Sequence, residues 1–401
     1  MKSFDAIIVG AGPAGSALAA LLARQGQKVA LVERDRLPRD KLCGEFLSPE
    51  ARSLFQRIGC LDRVLGLSPA TIGRARFTTT SGQSLELDLP GEGLGLSRRA
   101  LDHTLFEFAG ECGAHTFTDA EVRDVDPFAA GVRSSTTVTV RFGVQRNAPE
   151  EWRAPLTVLA HGRCSGLDRR LGRAFPARTH GTLGFKRHMR VSHGDRTEAT
   201  LRAIENTVEI HTFAGGYCGL CFVERRRVNV CAFVDRRLTR KLSAVNWDEL
   251  VTTMRARNAV LDARFHDLSG LDEPALAVAE VPLCARESRL GSVPIIGDSA
   301  GMVAPLCGGG QVTALRSALA VAEICDTHAV RDVAEVWEQR WRKEFSRAFN
   351  IGRVLHLTLT HGRLASLGIG VAQRAPALGR WLVSATRSAT ETHTLAADLG
   401  A

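Results

Sequence analysis

The chain has 401 residues, enough for two or three domain-sized units, and its 44% apolar and 24% charged residues exclude the disordered, collagen-like and coiled-coil classes. Its net charge of +9 comes from six Lys and forty-six Arg, and no nucleic-acid module frames the densest basic run, Arg169 to Arg190. A solvated or anion-attracting rim is expected there and no nucleic-acid partner. Ten cysteines, unevenly spread and without a secretory leader, do not form a disulfide framework, so reduced thiols in a cytoplasmic protein are expected.

From the N-terminus, Phe4 to Val9 is a short apolar run rich in β-branched residues. It is followed by Gly10-Ala11-Gly12-Pro13-Ala14-Gly15 and a helical pattern through Gln25, which Gly26 stops. The spacing is strand, G-x-G-x-x-G, helix. Gly10 permits the tight turn, Gly12 lets backbone approach a pyrophosphate, and Gly15 lets the helix pack closely on the strand, while the helix N-terminus offers unpaired N–H groups to phosphates. A second strand, Val29 to Val32, ends in Glu33, where a carboxylate accepts hydrogen bonds from ribose hydroxyls. An acid there, not a base, implies a free 2′-hydroxyl. The motif by itself does not separate FAD from NAD.

Next comes "RDKLCGEFLSP", which crowds Cys43, Gly44 and Glu45 together just past the second strand. Three later features are informative. "LSRRALDHTLFEFAGECGAHTFT" predicts a helix with Arg98 at its start, leading into a strand at His115. "TVLAHGRCSGLDRRLG" is an apolar strand running into Gly162 and Ser165. In "SVPIIGDSAGMVAPLCGGGQVTALRSALAVAEI" a strand ends at Gly297-Asp298, and Pro305 to Gly310 leads into a long helix.

On these motifs, about residues 4 to 330 resemble the FAD-dependent oxidoreductases of the p-hydroxybenzoate hydroxylase fold, in the branch holding geranylgeranyl reductases and flavin-dependent halogenases. The resemblance implies an α/β fold with an α+β insert: a glutathione-reductase-like Rossmann FAD-binding domain, an antiparallel β-sheet substrate domain and C-terminal helices. It implies FAD contacts at Gly10, Gly12, Pro13, Ala14, Gly15, Glu33, Arg34, Gly44, Arg98, Val122, Gly297, Asp298, Gly308, Gly309 and Gly310. Glu33 would bind the adenosine ribose, Arg98 would lie near the phosphates, and Asp298 would hold the ribityl chain. The Gly308–Gly310 turn would aim a helix N-terminus at the flavin pyrimidine. Where monooxygenases usually carry Asp-Gly, tied in that family to cofactor and nicotinamide contacts, this chain departs with His161-Gly162. No second G-x-G-x-x-G is present, so NAD(P)H as electron donor would bind transiently.

Between about 180 and 280 short alternating segments with turns at Gly215-Gly216 and Arg225 to Arg227 predict an antiparallel sheet, with residues 72 to 88 adding strands. In the resembled fold this sheet roofs the flavin and forms the substrate cavity. Tyr217 is the only tyrosine and stands in "GGYCG". The tryptophans of the geranylgeranyl reductase and halogenase patterns are absent from this segment, and it also resembles flavoprotein oxidoreductases that accompany type III polyketide synthases. Cys218 and Cys221 form a C-x-x-C whose sulfurs would diverge on opposite strand faces. No Cys or His pair stands at metal-ligand spacing, so no metal is expected. The absence of a G-x-S-x-G elbow argues against a Ser-His-Asp hydrolase.

The C-terminal region reads as two helices, from Val336 and from Arg363. Trp337, Trp341, Phe345 and Phe349 recur every four residues, a core-packing stripe, with a lid over a lipophilic cavity or a face resting on a membrane as the alternatives. No segment reaches the roughly 20 uncharged residues of a spanning helix. The expected organisation is a discontinuous FAD-binding domain (1–70, 95–165 and 281–330), a substrate domain (71–94 and 166–280) and a helical region (331–401).

Three functions compete. The first is an NAD(P)H-dependent monooxygenase acting on a lipophilic, phenolic or polyketide-type molecule. The second is a carbon–carbon double-bond reductase, and the third an electron-carrying or maturation flavoprotein. Cys43, Glu45 and Tyr217 are the candidate catalytic residues. For Cys43 the alternative is a small pocket-lining residue, and for Glu45 a cap of the helix in "SPEARSLFQRIG".

Overall fold

Ala6–Val9 and Val29–Val32 are four-residue apolar runs buried along their whole length, a pattern that requires cover on both faces of a sheet. They are the centre of a four-stranded parallel sheet in the order Leu156–Leu159, Ala6–Val9, Val29–Val32, His115–Phe117. Ile295 extends it through a parallel bridge to Leu159. The computed structural model describes residues 2–126, 135–143, 148–163, 166–173, 182–192, 197–239, 246–279, 284–304 and 308–375.

Helix Pro13–Arg24 packs against Arg98–Glu111 and Gly310–Thr327. Ser97 accepts the Ala100 N–H and so caps the Arg98 helix. A smaller sheet of Ala120–Asp126, Thr136–Phe142 and Glu150–Ala154, edged by Lys2–Ser3, joins the parallel sheet through Phe4, Phe117, Phe142 and the fully buried Trp152.

The second body is a nine-stranded sheet running Leu268–Gly270, Thr182–Val191, Val228–Asp235, Gly216–Phe222, Thr207–Phe213, Ala70–Thr78, Ser84–Gly95 and Phe46–Leu47, with Leu276–Ala279 also on Thr182–Val191. The predicted antiparallel roof needs one correction. Thr207–Phe213 pairs parallel with Ala70–Thr78, because the 70–95 hairpin enters the sheet from a distant part of the chain.

Alternation along these strands gives the sheet two different faces. On the outer one Phe185, Cys218, Leu220 and Val230 pack under helices Trp247–Arg255 and Ala259–His266. The inner one carries Lys186, His188, Asn229 and Cys221 at one end, against the 40–46 loop, and Ile210, Tyr217 and Phe233 at the other.

Helix Val333–Thr360 buries Trp337, Trp341, Phe345 and Phe349, and the Trp337 Nε1–H donates to Ile295 O at 2.8 Å. That stripe is core packing, as its spacing implies. Gly362–Arg374 follows as a second helix; the rest of the predicted second helix lies outside the described residues, as do Ser165 and Pro305. Among the described residues no helix is long and apolar enough to cross a membrane.

Candidate cofactor and substrate site

Gly10 has φ +105°, and a Cβ there would lie 2.5 Å from Ala160 O, so only glycine lets the first strand turn this tightly. At Gly15 a Cβ would lie 1.9 Å from Gly10 O, the close helix–strand contact expected of the motif. The helix starts at Pro13 with Gly12 as its cap and no side chain on its first N–H groups. Arg98 Nη2 and Lys41 Nζ stand about the Gly12 position, 3.8 and 4.0 Å from where its Cβ would be. Backbone donors and two cations converge where a pyrophosphate is expected. Burial lowers the Lys41 ammonium to about 8, against the opposing pull of Asp102.

Glu33 closes the other side of the turn. Its Oε2 accepts the Ala11 N–H and Arg39 Nη2, both at 2.9 Å, and its Oε1 accepts the Asp35 N–H at 3.1 Å. With Val9, Arg34, Val122, His161 and Leu167 it lines a cleft at the end of the parallel sheet. Arg98 grips the buried Asp102 carboxylate through Nε and Nη2 at 2.7 and 2.8 Å. Burial would raise Asp102, but Arg98, Lys41 and Arg39 hold it below the usual carboxylate range.

The later motifs meet at Ser299, whose hydroxyl accepts the Gly162 N–H at 2.7 Å and donates to Gly162 O at 3.1 Å. This clamp sets Asp298 beside the cradle; burial raises its carboxyl, while Arg163, Arg98 and Lys41 pull it down. His161, which lines the same cleft, is tied to Asp168: its Nε2 lies 3.2 Å from that carboxylate, which also takes Arg173 and Arg286. Gly309 caps helix Gly310–Thr327, and Gly308, at φ +63°, leaves room for Phe46, which a Cβ would meet at 2.7 Å.

The 40–46 loop holds the least expected part. Glu45 is closed to solvent at φ +55°, a backbone state that costs a non-glycine residue roughly 1 kcal/mol or more. Its carboxylate offsets that strain with three contacts: Oε1 accepts Lys186 Nζ at 2.5 Å and the Arg98 N–H at 2.8 Å, and Oε2 lies 2.6 Å from His188 Nε2. Glu45 therefore caps the Arg98 helix, which corrects the sequence-based alternative of the Glu50–Ile58 helix.

His188 Nδ1 continues to Glu273 Oε2 at 3.4 Å, at a carboxylate open to solvent. Lys186 also bonds Asp40 at 3.4 Å and Lys41 O at 3.2 Å; burial pulls its ammonium down, and Glu45 and Asp40 more than reverse this. Ligand atoms of Asp40, Glu45 and His188 cluster within 4.8 Å of one another, yet the cation between these carboxylates is Lys186 itself.

Cys43 Sγ accepts the Glu45 N–H at 3.3 Å and Gln311 Nε2 at 3.6 Å, and burial pushes its thiol up. Its carbonyl accepts Asn229 Nδ2 at 3.1 Å, and the Gly44 carbonyl accepts the Cys221 thiol at 3.4 Å. Cys218 lies in the outer-face core, so the C-x-x-C is not a dithiol. Tyr217 is at the apolar end, stacked on Phe233 with ring centres 5.9 Å apart and edge-on to His356, among Ile210, Met302 and Leu359. The structure thus joins Cys43 and Glu45 and sets Tyr217 apart from them.

Lys186, His188, Asn229, Gln311 and Lys41 were not anticipated as site residues. The sequence signal was "GFKRHMR": Lys186 and His188, two positions apart, share one strand face, which the structure buries, while Arg187 and Arg190 stand among them less buried.

A glycine turn opening a helix, an acid ending the second strand and a sheet roof over the crossover loop define a dinucleotide-binding flavoprotein. The chain belongs to the FAD-binding domain family, whose model matches residues 3–325. It is 27% identical to a menaquinone reductase of Mycobacterium tuberculosis, covering 94% of this chain and 89% of that protein. It is also 27% identical to digeranylgeranylglycerophospholipid reductase 1 of Methanopyrus kandleri, covering 87% and 89%. The fold matches the myxobacterial chondrochloren halogenase with TM-score 0.75 at 18% identity, over 90% of this chain and 83% of the other. The chain is an FAD-dependent oxidoreductase. The uncapped helix N-terminus with its two cations and the steric need for Gly10 and Gly15 fit the pyrophosphate of FAD.

Proposed function

We propose that the protein is an FAD-dependent reductase of carbon–carbon double bonds in a lipophilic, isoprenoid-type molecule, with NAD(P)H as the electron donor. The observation that carries this is the contrast along the inner roof face. A charged end joins Glu45, His188 and the solvent-open Glu273, while an apolar end is closed by Phe77, Ile210, Tyr217, Phe233, Met302 and Leu359. Reduction of a double bond needs a hydride and a proton; the charged end supplies the second and the apolar end holds the chain. Two relatives matched over most of their length are reductases by name, one of menaquinone and one of a digeranylgeranyl lipid, which supports placing the reductase ahead of the monooxygenase.

FAD would be held by Gly10–Gly15, Glu33, Arg98, Lys41 and Asp298, and when bound supplies the hydride. Cys43, kept as a thiol by burial, holds a proton at Sγ beside Gly44. The Glu45 carboxylate, His188 and Glu273 form a chain from the loop to the surface, the route by which solvent protons would enter this end of the site. Tyr217 and Phe233 orient the apolar substrate and exclude water.

Monooxygenation of a lipophilic phenolic or polyketide-type molecule is the second reading, favoured by the same buried apolar end of the roof, since a reactive oxygen species must be shielded from water. One experiment separates them. FAD-loaded protein is incubated with NADPH and a polyprenyl quinone or a geranylgeranyl lipid, with and without O2, and the product is analysed by mass spectrometry. Two added hydrogens in both atmospheres support the reductase; an added oxygen atom, formed only with O2, overturns it.

A further inference from the structure

Six large apolar residues are exposed among the described residues, and five of them, Val354, Leu357, Leu364, Leu367 and Val371, stand on two consecutive helices. Leu364 and Leu367 are 49% and 67% exposed, on a short helix whose opposite side is fully packed at Ala365 and Ile369. Such clustering is unusual for a surface with no partner.

Charge divides the same helices. In the first part of Val333–Thr360, Glu338 and Glu344 pair with Arg342 and Arg340. From Phe345 to Ala375 the sequence has four arginines, Arg347, Arg353, Arg363 and Arg374, and no carboxylate. All four are exposed, and among the described residues none is paired with an acid.

The inner side of the helix pair covers the apolar end of the roof. Leu355, Leu359 and Ala365 pack with Ile210, Tyr217 and Phe233, and Gln373 Nε2 donates to Ser84 O at 2.8 Å. Only one helix diameter, ~10 Å, separates the exposed apolar patch from that buried cluster.

We propose that the outer face of residues 345–375 docks on an anionic phospholipid bilayer, with Leu364 and Leu367 entering the interface and Arg347, Arg353, Arg363 and Arg374 meeting the headgroups. A second copy of the chain fits less well, because a twofold contact would bring these unpaired arginines against one another. An anionic bilayer satisfies both features, the apolar patch by partial insertion and the arginines by attraction. On the lipophilic-substrate reading above, the helix pair is also where the substrate passes from membrane to the apolar end of the roof; the docking itself does not depend on that reading.

The test is flotation of the full-length, FAD-loaded protein with vesicles of phosphatidylcholine alone or mixed with phosphatidylglycerol. The protein should float with the mixed vesicles, less so as salt rises. L364E/L367E and R353E/R363E should each reduce the bound fraction about tenfold or more while keeping flavin content and Tm. Failure of the unaltered protein to float, or equal flotation of both variants, overturns the proposal. A dimer in analytical ultracentrifugation that L364E/L367E dissociates, with no vesicle binding, overturns it in favour of an interface between copies. Vesicle binding with no reduction of any lipid retains the docking and refutes only the substrate reading.

Discussion

Glu45 Oε2 and His188 Nε2 lie 2.6 Å apart with both side chains closed to solvent, so a residue of the cofactor-contact loop is bonded to the roof strand 143 positions away. If this pair carries protons from the surface into the site, His188→Leu breaks the path from Glu273 but leaves every cofactor contact of the nucleotide turn. Turnover of the purified variant should fall about 10²-fold or more with flavin content unchanged, and its solvent isotope effect should rise. Loss of FAD in place of turnover would make His188 a structural residue.

Lys186 Nζ is the other clamp on Glu45, at 2.5 Å, with 2% of its side chain exposed. Lys186→Met leaves the Glu45 carboxylate buried with only His188 and the Arg98 N–H. Removing one member of such a pair costs about 3 to 5 kcal/mol, read as a drop in the urea midpoint. Lys186→Met combined with Glu45→Gln removes the uncompensated charge and should recover more than half of that loss. If the losses of the two single variants simply add in the double variant, the pair is not coupled.

The nucleotide-binding half was legible because each of its motifs is local. Gly10, Gly12 and Gly15 do their work within six positions, and Glu33 follows at the end of the next strand, so spacing alone specified the turn. The Trp337–Phe349 stripe was equally local. The charged cluster was not, since Glu45, the Lys186–His188 pair and Glu273 come from three distant segments and no pattern in any of them names its partners. Glu45 could be seen as an acid beside a glycine, but its role as the cap of the Arg98 helix depends on a contact 53 residues away. The parallel joint between Thr207–Phe213 and Ala70–Thr78 escaped for a similar reason: alternation shows which face a residue takes, not which strand lies beside it.

Cys43 is held as a thiol by burial, its Sγ accepting the Glu45 N–H and Gln311 Nε2. Since the thiolate is the reactive form, iodoacetamide near neutral pH should label Cys43 far more slowly than a free thiol, as measured by peptide mapping of the native protein. Cys43→Ser should keep its flavin. If that variant also keeps full turnover, Cys43 is a pocket-lining residue and the proton comes from elsewhere.

Glu209 carries the acid sensitivity of the roof. Burial would raise its carboxyl, but His211 and Arg264 hold it far below the ordinary value of 4.5, with Arg76 Nη1 at 2.6 Å and Arg264 Nε at 2.9 Å. The group is charged in the fold at pH values where the unfolded chain takes up a proton. Its stabilisation is therefore complete above the unfolded pKa and shrinks as pH falls below it. Arg264→Met should cost about 2 kcal/mol at neutral pH and less at about pH 3, read from urea midpoints at the two pH values. An equal cost at both would assign the loss to packing of the Arg264 stem.

Lys41 provides the test of the cofactor cradle. In the protein without cofactor, burial lowers its ammonium to about 8, while Asp102 opposes that fall and Arg98 and Arg39 add to it. A pyrophosphate at the Gly12 turn adds negative charge beside Nζ and raises the Lys41 pKa, so FAD binds the protonated form more tightly and binding takes up a proton. The sign follows from linkage: affinity is full below about 8 and falls as pH rises through that value. Titration of apo-protein with FAD at a series of pH values, followed by flavin fluorescence, should show this fall. Lys41→Met should bind FAD roughly tenfold more weakly with the pH dependence flattened. A variant that binds weakly but keeps the same pH dependence would place the titrating group elsewhere, and the depressed Lys41 would then be a consequence of burial with no part in holding the phosphates.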